Sequence, residues 1–173
     1  MKIAITDACI FIDLFDLQLT SAFFGLELEV HTSFDVFNEL YIQHQEVLKA
    51  FQSVGKLIIH AINEEDRKRI SQMGYPNGLS ANDKTVLYLA SKFDAMLLSS
   101  DKTVRHNAKI RKIEYHGMLW VFDKLLDSSL VSYQEATEKL KKLIMTNIIY
   151  RNNSELVSEM NSRLKKWQKH FSS

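Results

Sequence analysis

The sequence predicts an α/β protein in three layers, α/β/α, with a central parallel sheet. Short apolar runs alternate along the chain with longer segments in which apolar residues recur at helical spacing. This alternation is typical of β-α-β units, whose crossover helices cover a parallel sheet. After Ser132 the pattern is helical only, so we expect extra C-terminal helices beyond the sheet.

Five short segments that alternate with helical patterns are predicted to be strands. They are residues 2–6, 28–32, 56–60, 95–98 and 111–115. Helices are expected at residues 8–15, 20–26, 64–73, 80–93, 102–108 and 118–126. One longer helix is expected to start at the cap residue Ser33 and to end at Gly55.

Length and composition predict one domain over residues 1–173, with a core at 1–128 and a C-terminal helical extension at 132–173. The formal net charge of +1 does not indicate a partner. A single cysteine, Cys9, excludes an internal disulfide and a cysteine-based zinc site. Neither a signal peptide nor an apolar stretch long enough for a bilayer is recognisable, so we expect a cytoplasmic protein without membrane contact.

Two acidic residues follow predicted strands directly. Asp7 follows the first strand and Asp101 follows the fourth, so in a parallel sheet both lie at the carboxyl edge, where open α/β sheets place their chemistry. Glu39 and Asp83 stand on the predicted helices between them. Several carboxylates close together need a cation or a proton. A divalent metal site is therefore the first hypothesis.

Each acid also has a simpler interpretation. Asp7 and Asp101 could only cap the helices that follow them. Asp83 fits a capping box with Ser80, although Glu or Gln is more usual at that position. Glu39 could lie on a solvated helix surface. Taken singly, none of the four residues identifies a site.

The order and sequence context of these acids resembles the PIN domain family. The resemblance extends from Lys2 to about Leu126, and the segment Gly117–Trp120 is similar to the end of the family's pattern. The motifs that carry it are Ile5–Cys9, Phe37–Leu40, Ala81–Asp83 and Leu97–Lys102.

The resemblance implies an acidic site of Asp7, Glu39, Asp83 and Asp101 that binds Mg²⁺ or Mn²⁺ and hydrolyses RNA. It also implies a role for Ser99 as a water or substrate contact. Family members are often toxins of the VapC type paired with an antitoxin, which makes RNA and an antitoxin the expected partners. The chain departs from the family at residues 8 and 9: Cys9 could replace a hydroxyl that orients the site.

Basic residues follow Asp101 closely. We predict phosphate contacts for Lys102, Arg105 and Lys109, because nucleic-acid backbones attract Lys and Arg. A solvated helix face is the alternative interpretation. The helices after Ser132 could cover the sheet edge or form a homodimer surface.

The sequence therefore predicts a metal-dependent ribonuclease. The family resemblance implies that it could be the toxin of a toxin-antitoxin module. Metal ions held by carboxylates can activate water and neutralise charge on the phosphoryl oxygens. One alternative is a catalytically silent RNA- or protein-binding module on the same fold. Another is a phosphoreceiver domain, which would need a second acid beside Asp7, where Ile5 and Thr6 stand instead.

Overall fold

A computed structural model describes residues 1–171 and contains a parallel sheet of five strands in the order β3-β2-β1-β4-β5. Each neighbouring pair is parallel, so all five carboxyl ends lie along one edge. The strands are β1 (Lys2–Thr6), β2 (Leu28–Ser33), β3 (Leu57–His60), β4 (Met96–Leu98) and β5 (Tyr115–His116). The predicted three-layer α/β fold is confirmed.

Helices flank this sheet and continue after it. Those that precede β4 are α1 (Ala8–Asp16), α2 (Thr20–Phe23), α3 (Phe34–Glu39), α4 (Ile42–Ser53), α5 (Glu64–Gln72) and α6 (Ala81–Lys92). Those that follow it are α7 (Lys102–Ile110), α8 (Met118–Asp127), α9 (Tyr133–Thr146), α10 (Ile148–Arg151) and α11 (Ser154–Gln168). Helix α6 packs across β1, β2 and β4, because its residues Val86–Ala90 are buried.

The strand order reverses between β1 and β4. From β1 the chain builds the sheet outward through β2 and β3, then returns to the other side of β1 to add β4 and β5. Ala4, Ile5 and Thr6 pair with Met96, Leu97 and Leu98 across this junction. Open α/β sheets bind ligands outside the carboxyl ends of the strands at such a switch point.

Three predicted elements were wrong in their bounds. The long helix after Ser33 is two helices, because Leu40 and Tyr41 adopt extended backbone with ψ of 154° and 148°. The last strand was predicted at 111–115, but Lys112 has a positive φ of 59° and closes the end of α7, so β5 starts only at Tyr115. Helix α2 ends at Phe23, where turns replace the predicted helix to residue 26.

The C-terminal helices share the hydrophobic core of the sheet domain. Tyr150, Met160 and Trp167 are buried in the same cluster as the strand residues, and the ring of Trp167 packs on Phe122 of α8. This shared core supports the predicted single domain, which stays a prediction. Residues 172 and 173 of the predicted extension lie outside the described residues.

Across residues 1–171 we find no helix with the length and apolar character that crossing a bilayer requires.

Candidate active site

Asp7 lies at the switch point between β1 and β4. Its backbone N–H donates to the carbonyl of Leu98 at 3.0 Å, which extends the pairing of the two strands by one residue. Its carboxylate Oδ1 accepts the N–H of Ala8 at 2.8 Å and caps α1, so the predicted cap is present. Only 5% of Asp7 is exposed. The residue is therefore both a helix cap and a buried charge.

Burial raises the pKa of Asp7 from 3.8 to about 6. The hydrogen bonds from Ser99 and Ala8 lower it, but less than burial raises it, and the negative charge of Asp83 raises it further. A carboxylate with this pKa is poorly compensated when it is ionised. Such groups are candidates for functional sites.

Ser99 connects the first and last predicted acids. Its hydroxyl donates to Asp7 Oδ2 at 2.7 Å and accepts the backbone N–H of Asp101 at 3.1 Å. Its exposure is 0%, so the hydroxyl faces the protein and not solvent. The hydroxyl therefore positions Asp7 relative to Asp101, and the predicted substrate or water contact of Ser99 stays a prediction.

Cys9 lies beside the same carboxylate. Its Sγ is 3.6 Å from both Asp7 Oδ2 and Ser99 Oγ, and it accepts the N–H of Ser100 at 3.2 Å. Burial, followed by the charge of Asp7, raises the pKa of the thiol to about 12. The side chain therefore stays a neutral thiol, at the place where the resemblance led us to expect an orienting hydroxyl.

Asp101 and Asp83 both cap helices. Asp101 Oδ1 accepts the N–H groups of Thr103 and Val104 at 2.8 and 2.9 Å, at the start of α7. Asp83 Oδ2 accepts the N–H of Ser80 at 2.8 Å and completes the capping box at the start of α6. The simpler interpretations of these residues are thus correct as descriptions of their local contacts.

Glu39 is the last residue of α3 and is held by α6. Asn82 donates to Glu39 Oε1 at 2.7 Å. Glu39 is exposed overall, yet partial burial of its carboxylate raises its pKa, and the charges of Asp83 and Asp35 add to this. The four acids therefore form two linked pairs, one through Ser99 and one through Asn82, and the charge of Asp83 acts on both Asp7 and Glu39.

A family model described as PIN domain matches residues 3–166 of this chain. The match includes every strand and all four acids. The chain belongs to the PIN domain family. None of the curated proteins matches it.

Two solved structures resemble this PIN domain. A PilT N-terminus domain protein, SSO1118, from the hyperthermophilic archaeon Sulfolobus solfataricus P2 aligns with a TM-score of 0.50 and 14% identity over 72% of this chain and 93% of that chain. VapBC2 from Rickettsia felis, bound to a DNA fragment from their promoter, aligns with a TM-score of 0.42 and 16% identity over 66% of this chain and 98% of that chain. The first likeness supports the fold alone.

The acids of this PIN domain suit a hard divalent metal in chemical type. Asp83, Glu39 and Asp101 each turn one oxygen to a local donor, and within residues 1–171 their second oxygens accept no hydrogen bond. No three His, Cys, Asp or Glu side chains in this part of the chain are grouped as a ready metal site. Mg²⁺ keeps several waters and uses few protein carboxylates, so the donor set fits Mg²⁺ or Mn²⁺ with water as the remaining ligands.

The basic residues after Asp101 lie along α7. Lys102 is exposed in the first turn beside Asp101, whereas Lys109 is exposed in the last turn, about 10 Å further along the helix axis. Arg105 is half-buried: its Nη1 is 3.4 Å from the carbonyl of Ser99, and its guanidinium packs on the ring of Tyr115. Arg105 thus supports the β4 end directly, and Lys102 is the cation beside it that solvent reaches.

Sequence reasoning missed a second buried acid, Asp13. Only 3% of it is exposed, and it accepts hydrogen bonds from Tyr150 at 2.9 Å and Asn147 at 3.0 Å. The Tyr150 hydroxyl also lies 2.6 Å from Ser100 Oγ, between Ser99 and Asp101. The available signal was an Asp among the apolar residues of α1, but its partners lie far away in the chain.

Proposed function

We propose that this PIN domain is a metal-dependent endoribonuclease that hydrolyses RNA phosphodiester bonds. The observation that carries the proposal is the buried carboxylate of Asp7 at the switch point, with its raised pKa and its coupling to Asp83. A bound cation would stabilise the ionised form of this buried carboxylate, whereas a residue that only caps a helix does not require a cation.

Asp7, Glu39, Asp83 and Asp101 would hold Mg²⁺ or Mn²⁺ at the carboxyl edge of the sheet. When bound, the metal supplies an activated water and charge neutralisation on the phosphoryl oxygens. The chain itself fixes the acids: Ser99 holds Asp7 relative to Asp101, and Asn82 holds Glu39. Glu39 is the acid best placed to accept a proton, because it is exposed and its pKa is raised.

The test is RNA cleavage by the purified protein in Mg²⁺ or Mn²⁺ and in EDTA. We expect cleavage only with metal, and a loss of at least about a hundredfold in Asp7→Asn, since this removes a charge that the metal requires. Asp16→Asn, an exposed acid on the same helix, is the matched control and keeps its activity. Cleavage by the wild type in EDTA, or by Asp7→Asn at the wild-type rate, contradicts the proposal.

RNA binding without cleavage would instead support the silent-module alternative. In that case the wild type and Asp7→Asn bind RNA, and neither produces metal-dependent fragments. This alternative and the nuclease are separated by the same cleavage gel with an added binding measurement.

We also propose that Lys102 contributes to RNA affinity through a phosphate, with Arg105 and Lys109 as further contacts. Lys102→Ala is expected to reduce the slope of log affinity against log salt by about 0.7 on a single strand. Lys109→Ala is expected to change it less, because Lys109 lies at the far end of α7. An unchanged slope in Lys102→Ala would support the alternative interpretation, in which these basic residues form a solvated helix face.

An antitoxin protein, a homodimer and a cytoplasmic location belong to the same proposal. The antitoxin rests on the family resemblance, the homodimer on the helices after Ser132, and the cytoplasmic location on the amino-acid sequence. Copurification with the product of the neighbouring reading frame tests the first, and light scattering of the isolated protein tests the second. Inhibition of RNA cleavage by that product would establish the toxin role.

A further inference from the structure

A cavity lies between α5, the loop after it and the first turn of α6. Its volume is about 320 Å³, and we call it the α5–α6 cavity. Residues from α5, from the loop after it and from the start of α6 line it, among them Arg67, Ser71, Tyr75, Ala81 and Lys84. Its volume is at the lower end of the range for small-molecule pockets, which suits one nucleotide unit.

Positive charge and an aromatic ring meet at this cavity. Among residues 1–171, the ammonium of Lys84 has neither an ion pair nor a side-chain hydrogen bond. The guanidinium of Arg111, which does not line the cavity, packs 4.0 Å from the ring centroid of Tyr75. Arg67 is already neutralised by Asp35, to which it donates at 2.9 and 3.0 Å. The unbalanced charge at the cavity is therefore that of Lys84.

The cavity and the proposed catalytic acids share the first turn of α6. Ala81 and Lys84 line the cavity, and the two residues between them are Asn82, which holds Glu39, and Asp83. Residues one and two positions apart leave a helix on different sides, so the cavity and the acids lie on different sides of this turn. A strand whose phosphate lies at the acids reaches the cavity by passing round the start of α6, whose diameter with side chains is about 10 Å.

We propose that the α5–α6 cavity binds a nucleotide of the RNA strand that flanks the scissile phosphate. Lys84 contacts its phosphate, and the Tyr75 and Ile70 side chains contact its base. This inference rests on the proposed nuclease function and assigns part of its substrate site. A cation and an aromatic ring are the two groups by which proteins bind single strands without sequence preference.

The experiment measures binding in EDTA, where cleavage does not interfere, by fluorescence anisotropy of a labelled single-stranded RNA 12-mer. A strand of the same length made of abasic nucleotides is the second probe. Lys84→Ala is expected to weaken the binding of both strands and to reduce the slope of log affinity against log salt by about 0.7. Lys68→Ala, an exposed lysine of α5 outside the cavity, is the matched control and changes neither.

Tyr75→Leu is expected to weaken the RNA strand by roughly fivefold or more and to leave the abasic strand unchanged, because stacking is lost only where a base is present. Tyr75→Phe keeps the ring and retains wild-type affinity, which separates stacking from a general loss of packing. The proposal is overturned if Lys84→Ala behaves like Lys68→Ala, or if Tyr75→Leu weakens both strands equally.

A free nucleotide is the other source of the same chemistry. If Lys84→Ala weakens binding of adenosine monophosphate but not of the RNA strand, the cavity is a mononucleotide site and the proposal fails. The cleavage assay in Mg²⁺ is independent of these measurements. If the wild type cleaves RNA but Lys84→Ala binds RNA like the wild type, only the proposed cavity site is rejected. If the variants show the expected binding pattern but the wild type does not cleave RNA, only the proposed nuclease activity is rejected.

Discussion

Asp7 is a carboxylate buried without a basic side chain to balance it. Within residues 1–171 its hydrogen-bond partners are Ala8, Cys9 and Ser99, all of them neutral. Neutral donors offset only part of the cost of removing an ionised group from water. The raised pKa of about 6 expresses the remainder.

Asp7→Asn is therefore expected to stabilise the metal-free protein at pH 7. The folded state binds a proton at Asp7 up to about pH 6, whereas the unfolded chain releases it near 3.8, so wild-type stability falls as pH rises from about 4 to about 6. The effect is on the order of 2–3 kcal/mol. Urea unfolding in EDTA at pH 5 and pH 7 measures it, and Asp13, whose pKa is also about 6, adds a change of the same sign.

An Asn variant less stable than wild type at pH 7 would show that the Asp7 charge is better compensated than its burial indicates. The flatter pH dependence of the variant is the more specific result. A difference in stability that is the same at both pH values would arise from packing and not from ionisation.

Asp101 differs from Asp7 because it is exposed and its cap contacts dominate. Asp101→Asn keeps an oxygen for the N–H groups of Thr103 and Val104, so we expect little change in the melting temperature but a loss of cleavage. Asp101→Ala removes the cap and is expected to cost about 1 kcal/mol as well. Thermal melts and cleavage rates of both variants separate the two roles, and equal melts would exclude the cap as a source of stability.

Sequence reasoning selected Asp7 and Asp101 because they follow strands and Asp83 because it stands at the start of a helix, whereas Glu39, inside a predicted helix, entered only through the order of acids in the family resemblance. The roles of Cys9 and Ser99 were harder to assign. Whether the Ser99 hydroxyl faces solvent or Asp7 depends on the register of β4 against β1, which two separate segments set together. The register between two strands cannot be predicted from the position of one residue in the chain.

Helix α10 is the element that connects the C-terminal extension to the site. It has only four residues, yet its Tyr150 is buried and reaches both Asp13 of α1 and Ser100 after β4. Since the tyrosine hydroxyl donates to Asp13, Ser100 donates its own proton to Tyr150. The extension therefore holds the segment that carries Ser99 and Asp101.

Tyr150→Phe is expected to destabilise the protein by about 1–3 kcal/mol, because Asp13 and Ser100 lose a buried partner while the ring stays in place. We also expect a lower cleavage rate with a nearly unchanged KM, since the acids shift while the exposed RNA contacts remain. Tyr41→Phe, at an exposed tyrosine, is the control. Unfolding curves and steady-state kinetics test both statements, and a normal rate would limit Tyr150 to stability.

At the level of elements, sequence patterns predicted where the helices and strands are but not where some of them stop. Val36, Phe37, Leu40 and Leu48 keep a helical spacing through the break at Leu40 and Tyr41. A local side-chain contact stabilises the break: Gln45 Nε2 donates to the carbonyl of Leu40 at 2.9 Å, an oxygen that a continuous helix would use in its own backbone hydrogen bonds. The pattern therefore contained no signal for it.

For the whole molecule, the sheet topology explains why one edge collects the negative charge. Both central strands, β1 and β4, end at the switch point, and α3 and α6 deliver Glu39 and Asp83 from the neighbouring crossovers. Burial is the largest cause of the raised pKa values of Asp7 and Glu39, and repulsion from the charge of Asp83 adds to both. A cation that binds only the folded protein removes this repulsion.

Mg²⁺ is therefore expected to raise the melting temperature at pH 7. At a hundredfold excess of Mg²⁺ over its Kd, the free energy of unfolding is expected to increase by about 2.7 kcal/mol. The gain is expected to be smaller at pH 5, where Asp7 is protonated and its proton competes with the metal for the carboxylate. Asp7→Asn is expected to start higher in EDTA and to gain less. Melts of both proteins at the two pH values decide this; no Mg²⁺ effect on the wild type would mean that the acids do not act as one site.

The hydrogen bond from Ser99 to Asp7 joins positions 92 residues apart in the chain, and that from Tyr150 to Asp13 joins positions 137 apart. During synthesis, β1 can therefore pair with β4 only after β4 has emerged from the ribosome. Contacts of such long sequence separation slow folding. Synthesis of the chain thus includes a long interval in which Asp7 and Glu39 have been translated but not assembled with Asp101, which follows β4, so a nascent chain that stops before β4 carries no assembled site.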